Sequence, residues 1–297
     1  MMVPMADAWR SVDVVRLRGH ARAADVDRAA TEEPLEIRLH GRPFAVIMRT
    51  PGADRELAAG FLLSERVITT ADDLGTIQHC TDRREPPKNL ENPENSENLE
   101  NPANPANLEN VINVTLSGRS AASLDALLAD RRQVTTNSSC GMCGRRTIES
   151  LAADVPAVRA SWTVRAPVLA SLPDRLRARQ AVFDQTGGLH AAALCTPEGE
   201  VVDVAEDVGR HNAVDKIVGR MLMRDALPLS AFVLCVSGRT SFEIVQKAIV
   251  AGIPIVAAVS APSSLAIDLA QEFGVTLAGF IRGDAFNIYA HAHRVEG

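Results

Sequence analysis

The chain has 297 residues, enough to bury a sizeable core in one large or two smaller domains. With 46% hydrophobic and 23% charged residues its composition is that of a soluble globular protein, and a net charge of −6 argues against broad nucleic-acid binding. No apolar run is long enough to span a membrane, and Met1 to Arg22 lacks the pattern of a secretory signal, so a cytoplasmic chain is expected.

Residues 1–33 read as a weakly ordered leader carrying Arg16, Arg18, Arg22 and Arg28. Regular structure is expected from Pro34. Leu35 to His40 alternates at the strand period, Gly41-Arg42-Pro43 is turn chemistry, and Phe44 to Met48 is a second strand. After Pro51-Gly52, Asp54 is placed to cap a helix from Arg55 to about Val67. From Asn89 to Asn113 an asparagine recurs at every third position. That period matches neither a helix nor a strand, and the residues between cannot bury a core, so 86–110 reads as a disordered insertion. Val111 to Leu116 resumes the strand pattern, and Ser123 to Arg131 is expected to be helical. Val155 to Ala166 is irregular, and Pro167 to Asp184 carries Leu169, Leu172, Leu176 and Phe183 at helical spacing.

From His190 onward strands and helices alternate. Strands are expected at Ala191–Thr196, Val201–Val204, Phe232–Val236, Ile253–Val259 and Val275–Ile281. Helices are expected at Asn212–Met223, Ser241–Ala251 and Ser263–Phe273. This order implies a layered α/β sheet, and the apolar runs near 234 and 256 suit central strands covered on both faces. The expected organisation is the leader, an α+β domain over 34–160 with a mobile cysteine loop at 136–146, and an α/β domain over 161–297.

Two cysteines stand close together in Ser139-Cys140-Gly141-Met142-Cys143-Gly144-Arg145-Arg146. Glycines leave both thiols unshielded, while a following helix start and two arginines lower a thiol pKa. One such pair supplies two of the four ligands a closed zinc site needs, so no metal is expected. A thioredoxin-like pair remains open, although no βαβ unit stands directly before it. Sulfur carriage is the further reading, a thiolate that takes up sulfane sulfur as a persulfide. Cys195 and Cys235 lie in apolar strands and read as buried small hydrophobes; Cys80 is undecided.

Ser237-Gly238-Arg239-Thr240-Ser241 and Ser260-Ala261-Pro262-Ser263-Ser264 each join a strand to a helix. Such junctions offer hydroxyls and free N–H groups to an anion on the carboxyl edge of a sheet, although Ser and Thr are also ordinary helix caps. Arg282-Gly283-Asp284 follows the last expected strand. Arg210, His211 and Lys216 are candidates for an anionic ligand, with Asp207 or Asn212 as a simple helix cap. Thr186-Gly187-Gly188-Leu189-His190 reads as a helix stop and hinge.

The segments Arg49-Thr50-Pro51-Gly52, Gly60-Phe61-Leu62-Leu63, Ser139 to Gly144, Thr186 to Ala192, Glu206 to Ala213, Ser237-Gly238-Arg239, Ala251-Gly252-Ile253-Pro254 and Ser260-Ala261-Pro262 occur in one order. Together they resemble the FdhD/NarQ sulfur carriers of formate dehydrogenase maturation. The resemblance implies sulfur taken from a cysteine desulfurase, with the persulfide on Cys140 and Cys143 assisting. It implies delivery to a molybdenum bis(molybdopterin guanine dinucleotide) cofactor, a homodimer, and a C-terminal half like the cytidine-deaminase fold without the deaminase zinc signature. The family's cofactor-contact segment falls on Phe280, Ile281, Arg282, Gly283, Asp284 and Ala285; Ser237, Arg239, Ser260 and His211 are the further candidate contacts. Two alternatives remain, a chaperone that shelters the cofactor without moving sulfur, and a thiol redox protein.

Overall fold

The computed structural model describes residues 8–80, 110–122, 124 and 155–297. The cysteine loop, nearly all of the asparagine repeat and the helix expected at Ser123–Arg131 lie outside these, apart from residues 110 and 124. The first strands are β1 (Trp9–Arg18) and β2 (Ala21–Ala30), an antiparallel hairpin pairing Trp9 with Ala30 and Arg18 with Ala21. Over residues 9–30 the expectation of a weakly ordered leader is therefore corrected. Both faces of this ribbon are largely exposed, so it lacks the apolar alternation by which a half-buried strand is recognised.

The N-terminal sheet comprises β3 (Glu33–Leu39), β4 (Arg42–Arg49), β5 (Leu74–His79) and β6 (Val111–Leu116), in the order β4-β3-β6-β5. Between them runs α1 (Asp54–Ser64). Asp54 does not cap it: Ala53 holds the cap position at φ 56°, and the Asp54 carboxylate accepts from Arg49 Nε and Nη2, both at 3.0 Å. Arg49 is buried and also donates to Asn110 and Glu33, so a buried guanidinium claimed the carboxylate that the sequence offered to the helix.

After α2 (Gly118–Ala122) and a short β7 (Val164–Arg165), α3 (Ala166–Arg177) and α4 (Ala181–Thr186) lead into the larger sheet. Its strands are β8 (His190–Cys195), β9 (Val201–Asp207), β10 (Val233–Val236), β11 (Ile255–Ala258), β12 (Thr276–Arg282) and β13 (Ala285–Ala290). They lie in the order β13-β12-β11-β10-β8-β9. β10, β11 and β12 are parallel, and β8, β9 and β13 run against their neighbours. The helices α5 (Arg210–Met223), α6 (Phe242–Val250) and α7 (Ser264–Glu272) supply the crossovers, and β14 (Val295–Glu296) returns to pair with β7.

Alternate residues of the central strands sort the core into two faces. Ala191, Ala193, Cys195, Val233, Cys235, Ile255, Ala257 and Ile281 pack under α3. Ala192, Leu194, Leu234, Val236, Val256 and Ala258 pack under α5, α6 and α7. That second core continues without a break into Leu57 and Leu62 of α1 and Leu35, Ile37 and Leu39 of β3. The seam between α1 and α5 is made by glycine. A Cβ on Gly219 would stand 1.9 Å from Glu56 O, and one on Gly60 would stand 2.0 Å from Asp215 O.

Candidate functional site

Parallel β10, β11 and β12 end on one edge of the sheet, and antiparallel β8 begins there. The topology thereby gathers Ser237, Val259, Ile281, Arg282, Gly283 and His190 around one cleft of about 640 Å³. Its far wall comes from α3 and α4, with Asp174, Arg177, Gln180 and Phe183. This is the crevice beyond strand carboxyl ends where α/β sheets bind ligands, and its size suits a small molecule. Arg282 and Gly283 turn from β12 into β13 (Arg282 faces Ala285), with Gly283 at φ 58°.

Ser237, Ile281, Arg282 and Gly283 thus come together, whereas other candidates do not line the cleft. Phe280 stands beside it, 43% exposed and at φ 55°, a conformation costly for a non-glycine residue. Asp284 and Ala285 are exposed on the hairpin turn, and Arg239 is exposed on its loop. Ser260 contributes structure, its carbonyl accepting from Phe280 N at 3.2 Å. Ser237 does both kinds of work: it lines the cleft, and its Oγ accepts from Ala191 N at 2.8 Å.

The two strand-to-helix junctions are cross-linked. Thr240 N donates to Ala261 O at 3.2 Å and Ser263 N donates to Thr240 O at 3.0 Å. Ser263 caps α7 through Ala266 N, the ordinary helix-cap role. Ser241 does not cap α6. Its Oγ lies 3.0 Å from His211 Nε2, and Glu243 Oε2 stands 3.7 Å from the same nitrogen. His211 therefore belongs to the α6 face of the sheet, away from the cleft wall built by α3. Burial, with Lys247, Arg210 and His190 nearby, pushes its pKa down to about 3, so it is neutral at physiological pH. His190 is also held below the usual histidine range, first by burial and then by Arg210 and Arg239. Thr240 Oγ1 and Arg210 Nε are buried with no hydrogen-bond partner among the described residues.

Lys216 is corrected from ligand candidate to structural residue. Its Nζ lies 2.7 Å from Asp207 and donates to Thr50 O at 2.9 Å. Asp207 also accepts from Gly209 N and from Asn212 Nδ2, fixing the start of α5 against β4. A second buried pair, Lys247 with Asp215 at 2.8 Å, ties α6 to α5, and Ser64 of α1 donates to the same carboxylate. The buried thiols fit their reading, for burial pushes Cys195 up to about 12 and Cys235 well above the usual thiol range. Cys80 is half-buried. Among the described residues no group of three or more His, Cys, Asp or Glu is placed to hold a metal ion, and no helix is long and apolar enough to cross a membrane.

Reasoning from sequence missed His190, Gln180 and the α3–α4 wall. The antiparallel pairing of β8 with β10 brings His190 to the strand ends, and no local pattern announces that pairing.

Comparison with known proteins fixes the kinship of this architecture. The model of the FdhD/NarQ family matches residues 30–296. The chain belongs to the FdhD/NarQ family. Similar family members include a protein of Streptomyces avermitilis called sulfur carrier protein FdhD, 50% identical over 292 residues, covering 95% of this chain and 94% of its own. One of the same name from Sulfurisphaera tokodaii is 43% identical, covering 96% and 98%. The crystal structure of a putative formate dehydrogenase accessory protein from Desulfotalea psychrophila superposes with a TM-score of 0.69 at 22% identity, covering 97% of this chain and 99% of its own. That likeness extends the fold over nearly the whole chain.

Proposed function

We propose that the chain is a sulfur carrier for formate dehydrogenase maturation. The observation that carries this reading is its close kinship, at full length, to proteins called sulfur carrier protein FdhD. A cleft at the strand ends holding Ile281, Arg282 and Gly283 supports it, because the resemblance assigns cofactor contact to that segment. In this reading the Cys140 thiolate attacks the sulfane sulfur of a persulfide on a cysteine desulfurase. The donor's S–S bond breaks as the new one forms on Cys140, and the donor cysteine leaves as thiolate, with no net oxidation. Cys143 assists release. The cargo that receives sulfur is the molybdenum bis(molybdopterin guanine dinucleotide) cofactor destined for formate dehydrogenase. Ser237, Arg282 and the backbone of Gly283 face it in the cleft, while Arg239 and Phe280 stand at the rim. Residues 161–297, a strand hairpin followed by alternating helices and strands, are read as a cytidine-deaminase-like domain, and the working unit as a cytoplasmic homodimer.

The test is an intact-mass and peptide map after incubation with an active cysteine desulfurase and cysteine, without reductant. A cyanide-labile gain of one sulfur atom on the peptide holding Cys140 and Cys143, lost in Cys140→Ala, is expected. A Cys140→Ala protein that still matures formate dehydrogenase fully would favour the sheltering chaperone. Turnover of a disulfide substrate would favour the redox reading.

A further inference from the structure

The β1–β2 hairpin carries apolar side chains that its own fold leaves in water. Directly opposed residues of an antiparallel pair share a face, and Asp13–Val26, Val15–Ala24 and Leu17–Arg22 are opposed here. On that face Val15, Leu17 and Val26 are 52%, 68% and 59% exposed. The other face carries Arg16, paired with Asp25 at 2.7 Å. The root is seated, with the end of β2 packed on α4 and Ala30 beside Gly188. A two-stranded ribbon is marginal in water by itself, so its apolar face calls for a cover. Charge says what kind. The ribbon holds five arginines against three aspartates, a net +2 within a chain of −6, so the remaining residues carry −8. Arg18 and Arg22 are exposed at its tip. The complementary surface is acidic with an apolar strip, and the chain has one. β9, the edge strand of the six-stranded sheet, exposes Val202 at 48%, directly after the exposed Glu198 and Glu200. No Lys or Arg occurs between Pro197 and Gly209. Arg220 is engaged with Asp203 and Arg175 with Gly199 O, which leaves Glu198 and Glu200 as the outward charges.

We propose that each ribbon docks on the β9 edge of a second copy of the chain, exchanged reciprocally about a two-fold axis. Val15 and Leu17 lie against Val202, while Arg18 and Arg22 meet Glu198 and Glu200. The inference rests on the homodimer reading above and names its surface. Within one copy both surfaces are exposed, so the ribbon does not cover its own β9. Glu206 at the end of β9 holds the start of α4, on which the ribbon is rooted, so each ribbon springs from beside the end of β9. A two-fold axis across β9 sets the equivalent strands antiparallel, with the end of one beside the start of the other. Ten residues of ribbon span about 33 Å and the seven of β9 about 23 Å, so the tip reaches Glu198 of the second copy. Area decides between exchange and simple contact of two ribbons. A ribbon face of about 33 by 10 Å offers roughly 330 Å², and two ribbons face to face would cover roughly 660 Å² in all, no more than a packing contact. Reciprocal docking covers four such surfaces, roughly 1,300 Å², which is the range of specific interfaces.

The experiment is sedimentation equilibrium of the full chain, with photo-crosslinking from benzoylphenylalanine in place of Leu17 in a mixture of isotopically labelled and unlabelled protein. Wild type is expected to be a dimer that weakens as salt is raised. Leu17→Asp, an exposed change, is expected to raise the dimer Kd roughly 100-fold, because each dimer holds two copies of the contact. Arg18→Glu with Arg22→Glu, and Glu198→Arg with Glu200→Arg, are each expected to weaken the dimer. All four changes in one chain restore it, which a merely structural role would not allow. Cross-links are expected to join a labelled β1 peptide to an unlabelled peptide within Pro197 to Val204. A dimer indifferent to Leu17→Asp and to the charge reversals, or cross-links confined to one chain or to another surface of the second copy, overturns the inference and leaves the homodimer reading standing. A monomeric wild type overturns both. A ribbon that cross-links to an added cysteine desulfurase in preference to a second copy belongs to that partner, and also overturns the inference. Sulfur uptake on the Cys140 peptide is read independently of every one of these results.

Discussion

Gly219→Ala tests whether α1 and α5 meet through their backbones. The added methyl would lie 1.9 Å from Glu56 O and 2.5 Å from Gly60 N, where ordinary contact begins near 3.4 Å. Both obstacles are backbone atoms of a packed helix, so no side chain can swing aside. Relief requires the helices to separate by about 1 Å or more, a gap that forfeits a quarter to a half of each dispersion contact along the seam. Helix propensity alone favours alanine over glycine by about 1 kcal/mol and pulls the other way. The net loss is expected to be about 3 kcal/mol, at the severe end of overpacking. For a chain of this size that lowers Tm by roughly 6–12 °C. Thermal and urea unfolding of the full chain measure it. An unchanged or raised Tm would refute the seam and leave helix propensity as the dominant effect.

Two further outcomes follow from buried polar groups. His211 keeps a folded pKa of about 3 against an ordinary value of 6.5, so below pH 6.5 the unfolded chain binds a proton that the folded chain refuses. Its contribution is present above that pH and is lost as pH falls toward 3; between pH 6.5 and 5.5 this amounts to about 1 kcal/mol. His211→Gln is expected to flatten that acid limb in a pH series of urea midpoints, and an unchanged slope would contradict the assignment. Thr240 is 1% exposed and its Oγ1 has no partner among the described residues, so Thr240→Val removes a stranded hydroxyl while keeping the shape. A gain of about 1 kcal/mol is expected in the same assay, and a loss of that size would mean that the hydroxyl has a partner.

Much of the larger sheet was legible because its strands are covered on both faces. Val233 to Val236 and Ile255 to Ala258 are uniformly buried, and an apolar run between helical segments announces that state directly. β5 and β13 were not legible. Only Ile77 of β5 is fully buried, and Ala285 to Ala290 has one buried residue at its end, so neither carries a clean alternation. Site residues divide in the same way. Ser237 follows one core strand and Arg282 ends another, so both could be placed from chain order. Lys216 was misread because its partner Asp207 sits nine residues back across a helix start, where sequence shows two polar residues and not a buried pair. Gln180 gave no local sign at all. The start of α4 beside it is held by Glu206, which reaches Val182 N and Phe183 N only through the folded sheet.

The buried pairs Asp207–Lys216 and Asp215–Lys247 bear on how this chain can change over generations. Replacing one member leaves a lone charge in the interior at a cost of several kcal/mol, whereas an apolar exchange of both can be neutral. Each pair therefore has two viable states separated by a non-viable single step. Crossing requires both codons to change nearly together, or a prior reserve of stability elsewhere. The same coupling governs recombination. A chimera between relatives that exchanges α5 without β4, β9 and α6 would inherit half of two pairs, so productive crossover points lie outside that group of elements.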